Sequence, residues 1–199
     1  MQNVVIRAIE RLDFRTKEAY KTLRTNLSFA GKNVKVISLT SCTPNEGKTS
    51  VSFQLCLSLA ESGKQTILVD ADLRKSVLRG RYKANREKYG LSHYLSGQVE
   101  LDDACCRTNV NNFDIIFAGP VPPNPSELLG GDAFRNMLEV LRMKYDYVIV
   151  DTPPLGSVID AAIVGAICDG TVIVVESGAI SYKFVQNVKE QLNKVGCRI

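Results

Sequence analysis

The chain has 199 residues, and its 25 Lys and Arg against 21 Asp and Glu give a formal net charge of +4. With 45% hydrophobic and 23% charged residues, the composition predicts one folded domain over residues 1–199 and excludes intrinsic disorder of the whole chain. His93 is the only histidine, and no two of the six cysteines form a Cys-x-x-Cys pair. A histidine-rich metal site is therefore excluded, and a zinc ribbon is not expected.

The sequence predicts neither export nor a membrane span. The first ten residues mix apolar side chains with Arg7 and Glu10, unlike a secretory signal, and no apolar run reaches the roughly 18 residues that cross a bilayer. The best candidate, 158–168, contains Asp160. We therefore expect a cytoplasmic protein, or a cytoplasmic part of a larger one, whose cysteines are reduced and buried.

Predicted helices and strands alternate along the chain. A helix over about 17–30 precedes the first core strand. The apolar, β-branched runs predicted to be strands are 34–39, 66–69, 114–117, 147–150 and 171–175, and the helices that follow them are 48–62, 132–144 and 181–195. Most of the strand runs are continuously apolar, as expected for strands buried on both faces. The pattern predicts a three-layer α/β fold, a mostly parallel sheet with helices on both faces.

The segment 40–50, Thr-Ser-Cys-Thr-Pro-Asn-Glu-Gly-Lys-Thr-Ser, joins the first core strand to the next helix. Gly-Lys-Thr at a strand-to-helix junction is typical of the P-loop of nucleotide triphosphatases, because backbone N–H groups there surround phosphate oxygens. Lys48 is predicted to reach the β- and γ-phosphates and Thr49 to ligate Mg²⁺. Cys42 replaces the usual first glycine. The residues predicted to bind nucleotide are Thr43, Pro44, Asn45, Glu46, Gly47, Lys48, Thr49 and Ser50.

Carboxylates follow two of the predicted strands. Asp70 and Asp72 come after one, and Asp151 comes after another. Ligands bind at the carboxyl ends of strands in open α/β sheets, and a carboxylate there commonly organises Mg²⁺ beside a P-loop. One carboxylate can hold Mg²⁺ through water while another accepts a proton from an attacking hydroxyl. From these residues alone, the attacking group is either water, as in a switch ATPase, or a protein hydroxyl, as in a kinase.

Four segments resemble a known family, the bacterial tyrosine kinases that regulate capsule and exopolysaccharide synthesis, in their cytosolic type. The segments are Ile-Leu-Val-Asp-Ala-Asp-Leu-Arg at 67–74, Val-Ile-Val-Asp-Thr-Pro-Pro at 148–154, Gly-Leu-Ser-His-Tyr-Leu-Ser-Gly at 90–97 and Gly-Pro-Val-Pro-Pro-Asn-Pro-Ser-Glu-Leu-Leu at 119–129. The resemblance extends from Glu18 to the end of the chain. It implies an ATP- and Mg²⁺-dependent protein-tyrosine kinase.

The resemblance also implies roles for single residues. Lys48 and Thr49 would bind phosphates and Mg²⁺, Asp72 and Asp151 would organise Mg²⁺ through water, and Asp70 would be the base for a tyrosine hydroxyl. The four catalytic residues are thus expected to be Lys48, Asp70, Asp72 and Asp151. The resemblance assigns no role to Arg74.

Members of this family associate into rings through Glu-x-x-Arg-x-x-Arg on an N-terminal helix, which stands here as Glu18, Lys21 and Arg24. Lys21 keeps the charge of the first arginine but not its planar fork. The alternative is a solvated helix face with i,i+3 charge pairs. The resemblance further implies an activating cytosolic tail of a membrane protein, hence peripheral recruitment to the inner face of the cell membrane, and tyrosine-containing protein substrates.

Relatives carry a tyrosine-rich C-terminal tail, whereas the seven tyrosines here are scattered. Residues 196–199 resemble the start of another strand, which favours a chain truncated at this end. Alternatives remain a partition- or septum-type switch ATPase, which typically has a second lysine that 41–46 lacks, and a module that binds nucleotide only to assemble. The basic run 73–83 faces either phosphates, an acidic partner or solvent, and does not support nucleic-acid binding.

Overall fold

The computed structural model describes residues 1–31, 33–85 and 88–199. The strands are β1 (Gln2–Val4), β2 (Val36–Ser41), β3 (Thr66–Asp70), β4 (Cys106–Thr108), β5 (Phe113–Ile116), β6 (Tyr147–Asp151) and β7 (Gly170–Val174). The helices are α1 (Phe14–Phe29), α2 (Lys48–Glu61), α3 (Leu78–Arg81), α4 (Leu91–Leu95), α5 (Leu101–Ala104), α6 (Pro125–Gly130), α7 (Asp132–Lys144), α8 (Asp160–Gly165) and α9 (Tyr182–Lys194).

The described strands form one sheet in the order β1-β4-β5-β3-β6-β2-β7. The five strands from β5 to β7 in that order are parallel, β4 is antiparallel to β5, and β1 is parallel to β4. The predicted mostly parallel sheet is therefore confirmed.

Apolar side chains cover both faces of the sheet, which explains the continuously apolar strands. Ile67 and Val69 of β3 pack into a cluster with Phe134 and the rest of the buried face of α7. Leu68, which points the other way, packs into a second cluster with Phe53 and the apolar residues of α2. Each such fully buried side chain contributes roughly 1.5–3 kcal/mol to folding. The three layers follow from this two-sided burial.

Three features of the fold differ from the sequence prediction or extend it. β1 and β4 were not predicted, because each has three residues and neither carries a long apolar run. The first helix begins at Phe14, three residues earlier than expected, since Asp13 caps it by accepting the N–H of Thr16 at 2.7 Å. Residues 196–199 form no strand and make one backbone bond beside β7, from Thr171 to Arg198 at 2.7 Å.

The sheet brings the predicted carboxylates to one edge. Asp70 and Asp151 are direct register partners at the carboxyl ends of β3 and β6. β2 lies on the other side of β6 and ends at Ser41, where the predicted P-loop begins. The carboxyl ends of these parallel strands thus bound one common cleft, as open α/β sheets do.

Candidate active site

The loop between β2 and α2 has the backbone of an anion-binding turn. Asn45 and Gly47 adopt positive φ angles of 71° and 84°, and the left-handed Gly47 immediately precedes α2. Glu46 holds the loop together, because its carboxylate accepts N–H groups from Thr43 at 2.5 Å and from Glu176 at 3.3 Å. The result is a row of backbone N–H groups at a helix N-terminus, which suits a phosphate.

Cys42 explains how the loop tolerates the loss of its first glycine. Its side chain is fully buried and packs into an apolar cluster with Leu155 and Val188, beneath the loop. The thiol therefore lies in the core and away from the phosphate-facing backbone. Burial, together with the charge of Glu46, raises the pKa of this thiol, so it stays protonated.

Asp151 is the centre of a buried hydrogen-bond network. Its carboxylate accepts from Lys48 Nζ at 2.8 Å, from Thr49 Oγ1 at 2.7 Å and from Ser52 Oγ at 2.8 Å. The Lys48 and Asp151 side chains are only 7% and 1% exposed. The network pairs two buried charges and orients both functional side chains of the P-loop. Ser52 was not predicted, although its position one helical turn after Lys48 places it on the same face of α2.

Asp70 is a buried carboxyl group without a cationic hydrogen-bond partner. Burial raises its pKa to about 7, and the charge of Asp151 adds to the increase. Two groups act in the opposite direction: Ser76, which donates a short hydrogen bond to Oδ2, and the charge of Lys48. Near neutral pH, Asp70 is therefore poised to take up a proton. Sequence reasoning missed Ser76, which lies in the irregular segment after β3.

Asp72 lies half-buried at the cleft, two residues beyond Asp70. Its Oδ1 accepts the N–H of Lys75 at 3.0 Å, and its own N–H donates to Asp70 at 3.3 Å. These bonds hold the carboxylates of Asp70 and Asp72 within one turn of the backbone after β3. Of the three predicted carboxylates, Asp72 lines the cleft itself, whereas Asp70 and Asp151 are not part of its lining.

Arg74 clamps the segment after β3 to two helices. It makes a two-bond pair with Asp160 at 2.8 and 3.0 Å, and a third bond to Ser126 at 2.9 Å. Ser126 also donates to Asp160 at 2.7 Å. Burial alone would raise the pKa of Asp160, but the bonds from Arg74 and Ser126 outweigh it and lower that pKa. Arg74 thus has a positioning role, which no local sequence signal revealed because Asp160 lies far along the chain.

The cleft contains most of the predicted nucleotide-binding residues. It is lined by Pro44 to Thr49 of the P-loop, by Asp72, Arg74, Lys75, Val77 and Arg81, and by Ser41, Pro153, Pro154, Ser157 and Val158. Thr43 and Ser50 lie outside it: the carbonyl of Thr43 accepts from Ser41, and the hydroxyl of Ser50 accepts from Arg81. Part of the basic run 73–83 therefore faces the phosphate cleft.

The three predicted association residues lie elsewhere, on α1. Glu18 and Lys21 pair with each other at 2.7 Å on the exposed face of the helix. Arg24 donates to the carbonyl of Ser58 at 2.6 Å and so fastens α1 to α2. Two of the three side chains are thus exposed to solvent, while the third contacts α2.

The predicted magnesium ligands form a hard-oxygen set. The Thr49 hydroxyl and the Asp151 carboxylate are in contact, and Asp72 contributes a carboxylate to the same cleft. Among the described residues, no three His, Cys, Asp or Glu side chains cluster as a protein-only metal cage. Mg²⁺ in phosphate-transfer sites keeps waters and binds one or two protein oxygens with substrate phosphates. The residues present fit that mode.

Two further observations concern the chain as a whole. The described helices include none that is long and apolar enough to cross a membrane. The six cysteines, all within the described part of the chain, form no disulfide, and five of them are buried.

Comparison with known proteins identifies the relatives of this chain. The family model described as an AAA domain matches residues 34–198. The tyrosine-protein kinase CpsD of Streptococcus agalactiae is 44% identical over 184 residues, which cover 92% of this chain and 80% of the relative. The crystal structure of the kinase domain of Escherichia coli tyrosine kinase ETK superposes with a TM-score of 0.89 at 33% identity, covering 100% of this chain and 87% of that one.

A more distant likeness bears on the alternative of a switch ATPase. The cell-division ATPase MinD of Pyrococcus furiosus matches with a TM-score of 0.69 at 24% identity, over 83% of this chain and 69% of its own. That likeness shows a shared fold and no more. The nucleotide-binding fold, the buried carboxylates and the extent of the identity to CpsD agree, and we conclude that the chain belongs to the bacterial tyrosine-protein kinase family.

Proposed function

We propose that this chain is an ATP- and Mg²⁺-dependent protein-tyrosine kinase that regulates capsular or exopolysaccharide synthesis. The observation that carries the proposal is the arrangement of the carboxylates. Asp151 is neutralised by Lys48, whereas its register partner Asp70 has no cation bonded to it and holds a proton with a pKa of about 7. Asp151 is thus suited to orient Lys48 and the metal, and Asp70 is suited to accept a proton.

The P-loop binds and orients the triphosphate. Backbone N–H groups from 45–49 surround phosphate oxygens, and Lys48 supplies a cation that compensates charge on the β- and γ-phosphates. Lys75 and Arg81 add positive charge to the same cleft. Phosphoryl transfer needs mainly positioning and electrostatic stabilisation, which these groups provide.

Asp70 acts on the acceptor. As the tyrosine oxygen forms its bond to the γ-phosphorus, the bond from that phosphorus to the β-γ bridging oxygen breaks, and Asp70 accepts the phenolic proton. Ser76, bonded to Oδ2, orients the carboxylate. Because the base must be ionised, we expect the rate to increase as the pH rises through about 7.

Mg²⁺ would be held by Thr49 directly and by Asp72 and Asp151 through water. When bound, it neutralises charge on the phosphate oxygens. Asp151 has a second part in this site, because it holds the Thr49 hydroxyl and the Lys48 ammonium in place.

We also propose self-association through α1 and activation by the cytosolic tail of a membrane protein, which would recruit the chain to the inner face of the cell membrane. Support comes from the family and from the surface of α1. Glu18 and Lys21 are exposed there, and so are the aromatic side chains of Phe14 and Phe29, at 80% and 82%. Exposed aromatic side chains next to charged ones are common at protein interfaces.

The fate of the γ-phosphate tests the kinase proposal. The chain is incubated with Mg²⁺, γ-labelled ATP, a tyrosine-rich peptide and the activating tail, with Lys48→Ala and Asp70→Asn beside it. We expect labelled phosphotyrosine that is lost in Lys48→Ala and reduced roughly 10²–10⁴-fold in Asp70→Asn. Free phosphate that depends on Lys48, without labelled tyrosine, would instead indicate a switch ATPase.

A further inference from the structure

A second pocket adjoins the phosphate cleft. It has a volume of roughly 840 Å³ and is lined by Ser76, Val77, Arg79, Gly80, Arg81, Lys88, Tyr89, Gly90, His93 and residues 117–120. Val77 and Arg81 line both cavities, so the two lie next to each other. The roles derived above for ATP and Mg²⁺ use none of the residues 88–93 or 117–120.

The order of the strands places this pocket on the acceptor side of the cleft. Going along the sheet edge from β2 to β6 to β3, the P-loop comes first, then Asp151 and then Asp70. The next strand is β5, and the pocket lies where β5 ends, at Phe117 and Ala118. A group entering from β5 therefore meets Asp70 before it meets the P-loop. Ser76, which donates to Asp70, is itself part of the pocket lining.

Two of the segments singled out in the sequence build this pocket. Leu91 and Ser92 at the start of α4 donate backbone bonds to Phe117 and Ala118 at 2.7 and 2.9 Å. Gly90 packs so closely that an added Cβ would lie 2.6 Å from the backbone N of Gly119. Residues 90–97 and 119–129 thus meet backbone to backbone, which explains why glycine stands at both contact points.

The pocket is positively charged. Arg81 and Lys88 contribute cations, and its described lining includes no Asp or Glu. His93 accepts the N–H of Gly90 through Nδ1 at 3.1 Å, so the neutral ring carries its proton on Nε2 as a further donor. Tyr89 stands edge-on to that ring, with centroids 5.6 Å apart. Such a lining favours an anion next to an aromatic group.

The side of the pocket that carries Lys88 and Tyr89 is fixed by the N-terminal strand. The Gln2 side chain accepts the N–H of Lys88 at 2.5 Å and that of Tyr89 at 3.3 Å, and it donates to the carbonyl of Tyr89 at 3.0 Å. Lys88 extends over the Tyr89 ring, 4.9 Å from its centroid. The backbone of Lys88 is thus held by Gln2, and its ammonium group lies against the Tyr89 ring.

We propose that this pocket receives the acceptor segment and binds an anionic side chain beside the target tyrosine, either a carboxylate or a phosphotyrosine. The proposal rests on the kinase activity proposed above. The target tyrosine then reaches Asp70 past Ser76, while its anionic neighbour pairs with Lys88 and Arg81. Substrate choice is thereby set by charge next to the tyrosine.

The test uses the full chain and three peptides that differ only at the residue after the tyrosine: Gln, Glu or phosphotyrosine. The readout is kcat/KM for each anionic peptide divided by kcat/KM for the Gln peptide, a ratio in which any general loss of activity cancels. We expect a ratio of roughly ten or more for at least one anionic peptide. Comparing the Glu peptide with the phosphotyrosine peptide shows which of the two anions the pocket prefers. Lys88→Glu should reduce that ratio to one or below.

Lys64→Glu is the matched control, since it reverses the same charge at an exposed position before β3, at the opposite end of that strand. It should keep the wild-type ratio. A wild-type ratio near one, or a ratio that Lys88→Glu leaves unchanged, would overturn the proposal.

Fluorescence anisotropy of the same peptides, with Mg²⁺ and ADP present, separates the two proposals. If no peptide is phosphorylated but the anionic ones bind tighter and lose that advantage in Lys88→Glu, the pocket stands and the kinase proposal falls. Equal dissociation constants for all three peptides would overturn the pocket whatever the activity.

Discussion

Asp70 is placed where stability and catalysis have opposite requirements. An unfolded aspartate titrates near 3.8, whereas burial in the folded chain raises the pKa of Asp70 to about 7. The folded state therefore keeps a proton that the unfolded state has released, and the stability from this group is lost as the pH rises from about 4 to about 7. Above that range the folded protein holds a buried carboxylate that it would be more stable without.

We predict that Asp70→Asn stabilises the protein at about pH 8 and much less at about pH 5, while it reduces phosphate transfer roughly 10²–10⁴-fold. The difference between the two pKa values corresponds to roughly 4 kcal/mol, which is an upper limit for the gain. Urea unfolding of both proteins at the two pH values measures it. An equal effect at both pH values would contradict the assignment.

Lys48 and Asp151 show the reverse situation, a buried charge pair in which each partner needs the other. Replacing Lys48 by Met leaves Asp151 as an unpaired buried charge, and we predict a loss of about 3–5 kcal/mol in the free energy of unfolding. Adding Asp151→Asn should recover most of that loss without restoring nucleotide binding. Unfolding curves and ATP titrations of the single and double variants form the cycle. Failure of the double variant to recover stability would argue against the pair.

At the residue scale, the sequence predicted the groups that we propose bind phosphate but not the side chains that hold them in place. Lys48, Thr49 and Asp151 belong to local motifs and meet as expected. Ser76 and Asp160 could not be found in the same way. Their roles depend on how segments distant in sequence come together, and neither a lone serine after β3 nor a lone aspartate at the start of α8 identifies its partner.

Elements are joined at the site by the Arg74 clamp. The bonds from Arg74 to Asp160 and Ser126 tie the segment after β3 to the first residues of α8 and α6. Asp72 lies two residues before Arg74, so the clamp fixes the carboxylate that faces the cleft.

We predict that Arg74→Lys, which keeps the charge but loses the planar fork, lowers kcat/KM about tenfold and shifts the melting temperature only slightly. The reason is that Asp160 stays paired while Asp72 is held less firmly. Peptide phosphorylation and thermal unfolding measure the two effects. Ser126→Ala, which removes one bond of the clamp, should fall between wild type and Arg74→Lys. A variant with normal kcat/KM would show that the clamp has no positioning role.

For the buried strands, the predicted ends lie within two residues of the observed ends. The strand predicted over 147–150, for example, is observed as Tyr147–Asp151. Burial on both faces makes such strands continuously apolar, which is a strong signal. Strands β1 and β4 gave no such signal, since each has only three residues and neither is buried throughout. Their pairing depends on partners more than 100 residues away in sequence.

For the whole molecule, the proposed self-association depends on the exposed surface of α1. Glu18 and Lys21 pair on the exposed face, while Arg24 bonds to Ser58. Substituting Arg24 should therefore affect stability, whereas substituting Glu18 or Lys21 should not. We predict that Glu18→Ala lowers the oligomeric state with little loss of stability, whereas Arg24→Ala lowers both. Sedimentation velocity at several concentrations, with thermal unfolding beside it, separates the two effects. An oligomeric state that neither variant changes would exclude α1 as the interface.

The Gln2 contacts have a consequence for how the protein is made. Gln2 bonds to Lys88 and Tyr89, and β1 pairs with Cys106 and its neighbours in β4. At roughly 5–20 residues per second, a ribosome needs about 5–20 s to add the next hundred residues after Gln2. During that time β1 has no strand to pair with. The pocket beside Asp70 is therefore completed only after the residues that follow Gln2, through β4, have been translated.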